Sequence, residues 1–160
     1  MYDLLTRTLS EAGKLYTHLL ISTDGSELAQ KGIDHGLSLA KAVGSKVTVI
    51  TATEPFPIIY GREWQPTPEV AKQFEQENAS AAAVILEKVR ADADRIGVPL
   101  ETVHTANTFA AEAILDAAKE RGCNLIVMSS HGRTGLGKML LGSQTSKVVS
   151  KSEIPVLVVR

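Results

Sequence analysis

The sequence predicts an α/β fold, an open five-stranded parallel sheet with helices on both faces, and three observations carry that prediction. Short apolar clusters rich in β-branched residues recur between longer stretches whose apolar positions fall every three to four residues, the pattern of βαβ units. The clusters are apolar without interruption rather than alternating, as in strands covered on both faces. Five such clusters joined by four helical stretches with right-handed crossovers leave only a few doubly wound strand orders, and 3-2-1-4-5 is the common one expected.

The first 16 residues stand apart. Leu4, Leu5, Leu9 and Ala12 share one helical face, which suits an appended helix and a frayed arm equally. Strand one is read at 18–23 (HLLIST), followed by a helix on which Leu28, Ile33, Leu37, Ala40 and Val43 form the apolar stripe. Strand two is 46–53 (KVTVITAT). Residues 54–68 (EPFPIIYGREWQPTP) hold four prolines among aromatics and read as an ordered loop. The next helix carries Val70, Phe74, Ala81, Ile85, Val89 and Ile96. Strand three is 99–105, a short helix fits 110–120, and strand four is 124–130 (NLIVMSS). The last helix, 143–151, starts after Gly142 and ends before Pro155, ahead of strand five at 155–160. With no repeat and no internal linker, residues 17–160 make a single domain behind a 1–16 extension.

Composition bounds the function. A 160-residue chain that is 44% hydrophobic and 22% charged has apolar surface enough for a packed core, which excludes a disordered chain. Its 17 basic and 18 acidic side chains give a net charge of −1, which offers a polyanion no attracting field, so nucleic acid is not expected as a partner. No apolar run approaches the ~20 residues that span a bilayer, and the first residues lack the apolar stretch of a signal peptide, so no membrane partner is expected. The lone Cys123 excludes an internal disulfide framework and fits a reducing compartment; the expected location is cytoplasmic.

In an open α/β sheet a ligand sits beyond the carboxyl ends of the strands, where neighbouring crossovers leave to opposite faces. For order 3-2-1-4-5 that point lies between strands one and four. Two polar strand endings meet there, Ser22, Thr23, Asp24, Gly25, Ser26 and Ser129, Ser130, His131, Gly132. The second runs through Arg133, Gly135, Gly137 and Lys138 to Gly142, Ser143, Gln144 and Thr145 at the start of the last helix. Glycines let a ligand approach the backbone, and the free amides of a helix N-terminus attract anions. The segment therefore reads as a phosphate cradle. Its charge agrees: from 129 to the end, Arg133, Lys138, Lys147, Lys151 and Arg160 face only Glu153, although Lys147 and Lys151 fit a solvated helix face equally well.

Standard phosphate motifs fail in this loop. Residues 132–138 match G-x(4)-G-K, but Met139 stands where a P-loop needs a hydroxyl for magnesium. The dinucleotide spacing breaks at Leu140, and strand one ends in STDGS rather than the glycine-rich run of a PP-loop. What the residues do resemble is the universal stress protein family, in particular its ATP-binding branch, with the fingerprint G-2x-G-9x-G-[S/T]. The pattern falls on Ser129, Gly132, Gly142 and Ser143, and the likeness runs from about Tyr16 to Arg160, including the Asp24-Gly25-Ser26 turn and the terminal PVLVV strand. Ser129 departs from the fingerprint glycine, and a side chain there suits crowding of the ribose or a hydrogen bond donated to it.

The resemblance implies a Rossmann-like, adenine nucleotide alpha hydrolase-like fold and a bound ATP, with ADP and AMP as alternatives and magnesium as the counterion of a triphosphate. It assigns Asp24 to the ribose, whereas the bland reading makes Asp24 and Glu27 a capping box for the first helix. It sets Ala52 beside the adenine and Gly132, Gly142, Ser143 and Gln144 around the phosphates, with Ser143 also read as a helix cap. His131 suits a phosphate contact or a solvent-facing loop. Trp64 and Tyr60 suit a lid over the purine less well than a plug for an apolar edge or a subunit contact. His18, His35 and His104 have no ligand spacing to one another or to Cys123, so no zinc site is expected, and Cys123 lacks an activating base. The function implied is a nucleotide-dependent stress-response regulatory or protective module, a homodimer paired through its C-terminal strand. With no evident water-activating base, any ATP hydrolysis is slow. The alternatives are a family member that has lost nucleotide and acts through its dimer surface, and a slow ATP hydrolase.

Overall fold

A computed structural model of the chain describes residues 15–57, 66–131 and 141–160. Five strands, β1 (His18–Ser22), β2 (Lys46–Ala52), β3 (Leu100–Thr105), β4 (Leu125–Ser129) and β5 (Val156–Val159), form one sheet in the order β3-β2-β1-β4-β5. Every pairing is parallel, with Leu20 opposite Thr48 on one side and Ile126 on the other. The crossover helices are α1 (Glu27–Val43), α2 (Pro68–Ile96), α3 (Ala110–Glu120) and α4 (Ser143–Lys151). The expected fold and strand order are both present. The strands are a residue or so shorter at their ends than the apolar clusters that predict them.

Alternation along each strand divides the core in two. Leu19, Ile21, Val47, Val49 and Val127 point to the face covered by Ile33 and Leu37 of α1 and by Leu86 and Val89 of α2. Leu20, Ile50, Ile126 and Met128 point to the other face, against Ile114, Ala117 and Ala118 of α3 and Val148 of α4. Both faces of β1 and β4 are thus dry, which is why their sequences show no period of two.

Helix ends are fixed by local chemistry. Ser26, rather than Asp24, is the N-cap of α1: its hydroxyl accepts from Ala29 N at 3.1 Å. The Asp24 and Glu27 capping box is therefore not formed, because Asp24 lies too far upstream and uses Oδ1 to accept from Ser26 N at 3.0 Å. Thr67 caps α2, with Pro68 at the first helical position where a missing N–H costs nothing. Gly44 and Gly97 close α1 and α2 in the left-handed conformation.

The start of the domain is held by Asn124. Its Oδ1 accepts from Thr17 N at 3.0 Å and His18 N at 3.1 Å, and its Nδ2 donates to Leu15 O. The expectation of a helix or frayed arm before Leu15 falls on residues 1–14, outside those described.

Candidate functional site

The carboxyl ends of β1, β2 and β4 open into a cavity of about 690 Å³, roofed by α2, α3 and the start of α4. Its size lies in the range of small-molecule sites, and its position is the switch point between β1 and β4. The first part of its floor is the turn after β1. Thr23 N donates to Ile50 O at 2.9 Å, which carries the sheet one residue past the strand. Gly25 then takes φ 78°, a conformation that side-chain-bearing residues avoid, and its N–H meets Thr23 Oγ1 at 3.2 Å. That turn holds Ser22, Thr23 and Asp24 on the cavity wall.

The second part joins β4 to α4. Ser130 N donates to Val159 O, and Ser130 O in turn accepts from Gly142 N, both at 2.8 Å. Thr145 Oγ1 donates to Ser129 O at 3.1 Å. Together these bonds clamp the first turn of α4 onto the end of β4. The clamp favours a small residue at 142: a Cβ there would sit 3.3 Å from Ser130 O, a tight contact, and 3.5 Å from His131 Cα, an ordinary one.

Gly142 is also the N-cap of α4 and, having no side chain, leaves that helix uncapped. Ser143 is therefore the first helical residue and not a cap, which corrects the expectation that it serves in both roles. The opening turn of α4 carries no acidic residue, whereas α1, α2 and α3 carry Glu27, Glu69 and Glu112. Gln144 is bonded within the protein. Its Oε1 accepts from Ala111 N at 3.0 Å, acting as the cap that Phe109 cannot provide for α3. Gly142, Ser143, Gln144 and Thr145 of this turn line the cavity.

Ser22, Thr23, Asp24, Ala52, Ser129, His131, Gly142, Ser143, Gln144 and Thr145 all line this one cavity. Gly132 and Arg133, like Lys138, Trp64 and Tyr60, lie outside the described residues. Lys147 and Lys151 are exposed, away from the buried Thr145 and Val148 of the same helix. Ser129, the departure from the fingerprint, turns its hydroxyl onto its own loop and donates to His131 O at 2.8 Å. His131 Nδ1 lies 3.1 Å from Ser130 Oγ.

One wall was not legible. Phe74, Asn78, Ala81, Ala82 and Ile85 follow helical spacing along α2 and face the cavity, and apolar spacing alone reads such a stripe as core. Phe56 packs edge to face on Phe74, with ring centres 4.9 Å apart.

The other titratable groups have structural surroundings. His18 Nε2 meets Thr48 Oγ1 at 2.9 Å and His104 Nε2 meets Thr53 Oγ1 at 3.0 Å, and burial lowers the basicity of both rings. Burial pushes the Cys123 thiol up to about 11, the reverse of what a nucleophile needs. Among the described residues no three His, Cys, Asp or Glu side chains gather to hold a metal, and no helix is long and apolar enough to cross a membrane.

A doubly wound parallel sheet with a cavity at its topological switch, beside the start of α4, defines an open α/β domain of the doubly wound class. The chain belongs to the universal stress protein family, which it matches over residues 15–160. It is 37% identical to "Universal stress protein in QAH/OAS sulfhydrylase 3'region" of Thermus aquaticus, over 91% of this chain and all of that one. Among solved structures it is similar to MJ0577 of Methanocaldococcus jannaschii, at a TM-score of 0.75 and 28% identity, over 91% and 96% of the two chains. A universal stress protein solved in complex with cAMP shares the fold at a TM-score of 0.67 and 23% identity, over 91% and 97%.

Proposed function

We propose that this universal stress protein binds an adenine mononucleotide, with ATP the leading ligand and ADP and AMP the alternatives, and serves in the cytoplasm as a nucleotide-dependent stress-response module. One observation carries the reading. The first turn of α4 lacks both a capping side chain and an acid, yet it is clamped against β4 and opens on the cavity that Asp24 lines. Free helix amides in that position suit phosphate oxygens. Ser143 opens that turn, and the family pattern assigns Gly132 to the phosphates as well, with the basic Arg133 next to it in sequence.

Asp24 suits the ribose, because a carboxylate accepts from paired sugar hydroxyls. Ala52 suits the base through its main chain. Thr53 turns its N–H and C=O toward β3, to Thr105 O and from Thr108 N, so by alternation those of Ala52 face the crevice beyond β1. An adjacent donor and acceptor match the N1 and N6 edge of adenine. The solved relative that holds cAMP supports the same ligand class.

The rival reading, a family member without nucleotide, rests on Ser129. Its hydroxyl hydrogen is engaged by His131 O, which weighs against that reading. Protein purified without added nucleotide, denatured and analysed for released purine, together with calorimetry against ATP and AMP, tests the proposal. Micromolar binding that weakens at least tenfold in Asp24→Ala is the expected result; no heat with either nucleotide overturns it.

The edge position of β5 supports a symmetric dimer paired through that strand. Leu157 on β5 and Val149 on α4 are exposed apolar side chains suited to such a contact. Sedimentation should give a dimer for the parent chain and a monomer for Leu157→Arg.

A further inference from the structure

We propose that Asn78 of α2 reads the base, donating to N7 and accepting from the N6 amino group of adenine, and so selects adenine over guanine. The proposal rests on the nucleotide reading of the cavity and concerns a wall which that reading leaves without a role.

The strand order fixes which end of the cavity holds what. On one side of β1 lie β4 and the start of α4, and on the other lies β2. Helix α2 follows β2 and packs over β2 and β3 through Leu86 and Val89. A ligand whose phosphates meet α4 and whose sugar meets Asp24 therefore sends its base toward Ala52 and α2.

The α2 wall has the chemistry of a base site and not of an anion site. Phe74, Ala81, Ala82 and Ile85 are apolar, suited to the flat face of a purine. No lysine or arginine is among the cavity's described lining, and the carboxylate at the β2 end, Glu54, repels phosphate. Asn78 is the one polar side chain on the stripe. It is half-buried, and among the described residues it has no hydrogen-bond partner.

A carboxamide carries an acceptor and a two-proton donor side by side. Adenine offers the complementary pair on its N6 and N7 edge, the edge left open when the Ala52 main chain takes N1 and N6. The amino group has two protons and serves both partners. Guanine presents two acceptors on the N7 edge, so the carboxamide satisfies only one of them.

Calorimetry on the full chain with AMP, 7-deaza-AMP and GMP tests this. The parent should bind AMP about tenfold more tightly than 7-deaza-AMP, which lacks the N7 acceptor, and should prefer AMP to GMP by about the same factor. In Asn78→Ala both preferences should disappear while the melting temperature stays within about a degree or rises, since alanine favours the helix. A loss of stacking or of fold would weaken all three ligands alike and would leave the AMP to 7-deaza-AMP ratio unmoved. A parent that binds AMP and 7-deaza-AMP equally, or a ratio unchanged by Asn78→Ala, overturns the role of Asn78 and leaves nucleotide binding standing. A parent that binds neither AMP nor ATP overturns both, and one that binds ATP alone is tested in the same way with ATP, 7-deaza-ATP and GTP.

Discussion

Two glycines one turn apart on α1 should respond to alanine with opposite signs. Both Gly32 and Gly36 are buried and helical, so each replacement gains about 0.8–1 kcal/mol of helix propensity. At Gly32 the added Cβ would meet Ser129 N at 3.5 Å and Met128 C at 3.7 Å, ordinary contact. Gly32→Ala should therefore stabilise by up to about 1 kcal/mol. At Gly36 the Cβ would collide with Ile21 Cδ1 and fall 2.9 Å from its Cγ1, well inside the usual carbon separation of about 3.5–4.0 Å. Ile21 is fully buried in the sheet core, so its side chain can yield only by displacing packed neighbours.

Overpacking of this kind costs about 1–3 kcal/mol, and the helix gain offsets part of it, so Gly36→Ala should lose up to about 2 kcal/mol net. At roughly 2–4 °C per kcal/mol for a domain of this size, its melting temperature drops by up to about 8 °C. The assay is urea denaturation followed by circular dichroism, with Ile21→Val added to complete a cycle. Valine removes Cδ1, so the double variant should be more stable than the sum of the single losses by about 0.5–1.5 kcal/mol. Equal stabilities for Gly32→Ala and Gly36→Ala would refute the reasoning.

The two serines at helix starts should separate in the same assay. Ser26→Ala removes the α1 cap and should cost about 1 kcal/mol, whereas Ser143→Ala removes none and should lie within about 0.5 kcal/mol of the parent while weakening nucleotide binding. A large stability loss for Ser143→Ala would show that α4 is capped after all. For the histidines, burial holds the folded rings below the usual 6.5, so the unfolded chain takes up protons first. The stabilisation is complete above pH of about 6.5 and is lost as the pH falls from there through the lower folded values. Urea midpoints measured from pH of about 7.5 down to about 5 should fall, and less steeply in the His18→Gln, His104→Gln double variant; an unchanged slope would exclude these groups. Cys123 should resist thiol reagents at pH of about 8 in the native state and react only on unfolding, and prompt labelling of folded protein would contradict its buried setting.

Much of the architecture was legible in local sequence. Uninterrupted apolar runs such as HLLIS and LIVMS specify strands covered on both faces, and the helical stripe of Ile33, Leu37 and Ala40 specifies the side that α1 buries. The polar endings of β1 and β4 mark the switch point, because an open parallel sheet has one place where crossovers part. What a sequence cannot carry is the identity of a hydrogen-bond partner far along the chain. Nothing in the sequence pairs the Gln144 oxygen with Ala111 N or the Ser129 hydroxyl with His131 O.

The α2 stripe shows the physical reason for that division. Periodicity reports that Phe74, Ala81 and Ile85 share one side of a helix, since 3.6 residues per turn is a property of the local backbone. Whether that side meets other side chains or an open cavity depends on how far α2 overshoots the ends of β2 and β3. Strand lengths and crossover packing set that overshoot together, and they exist only once the sheet is assembled.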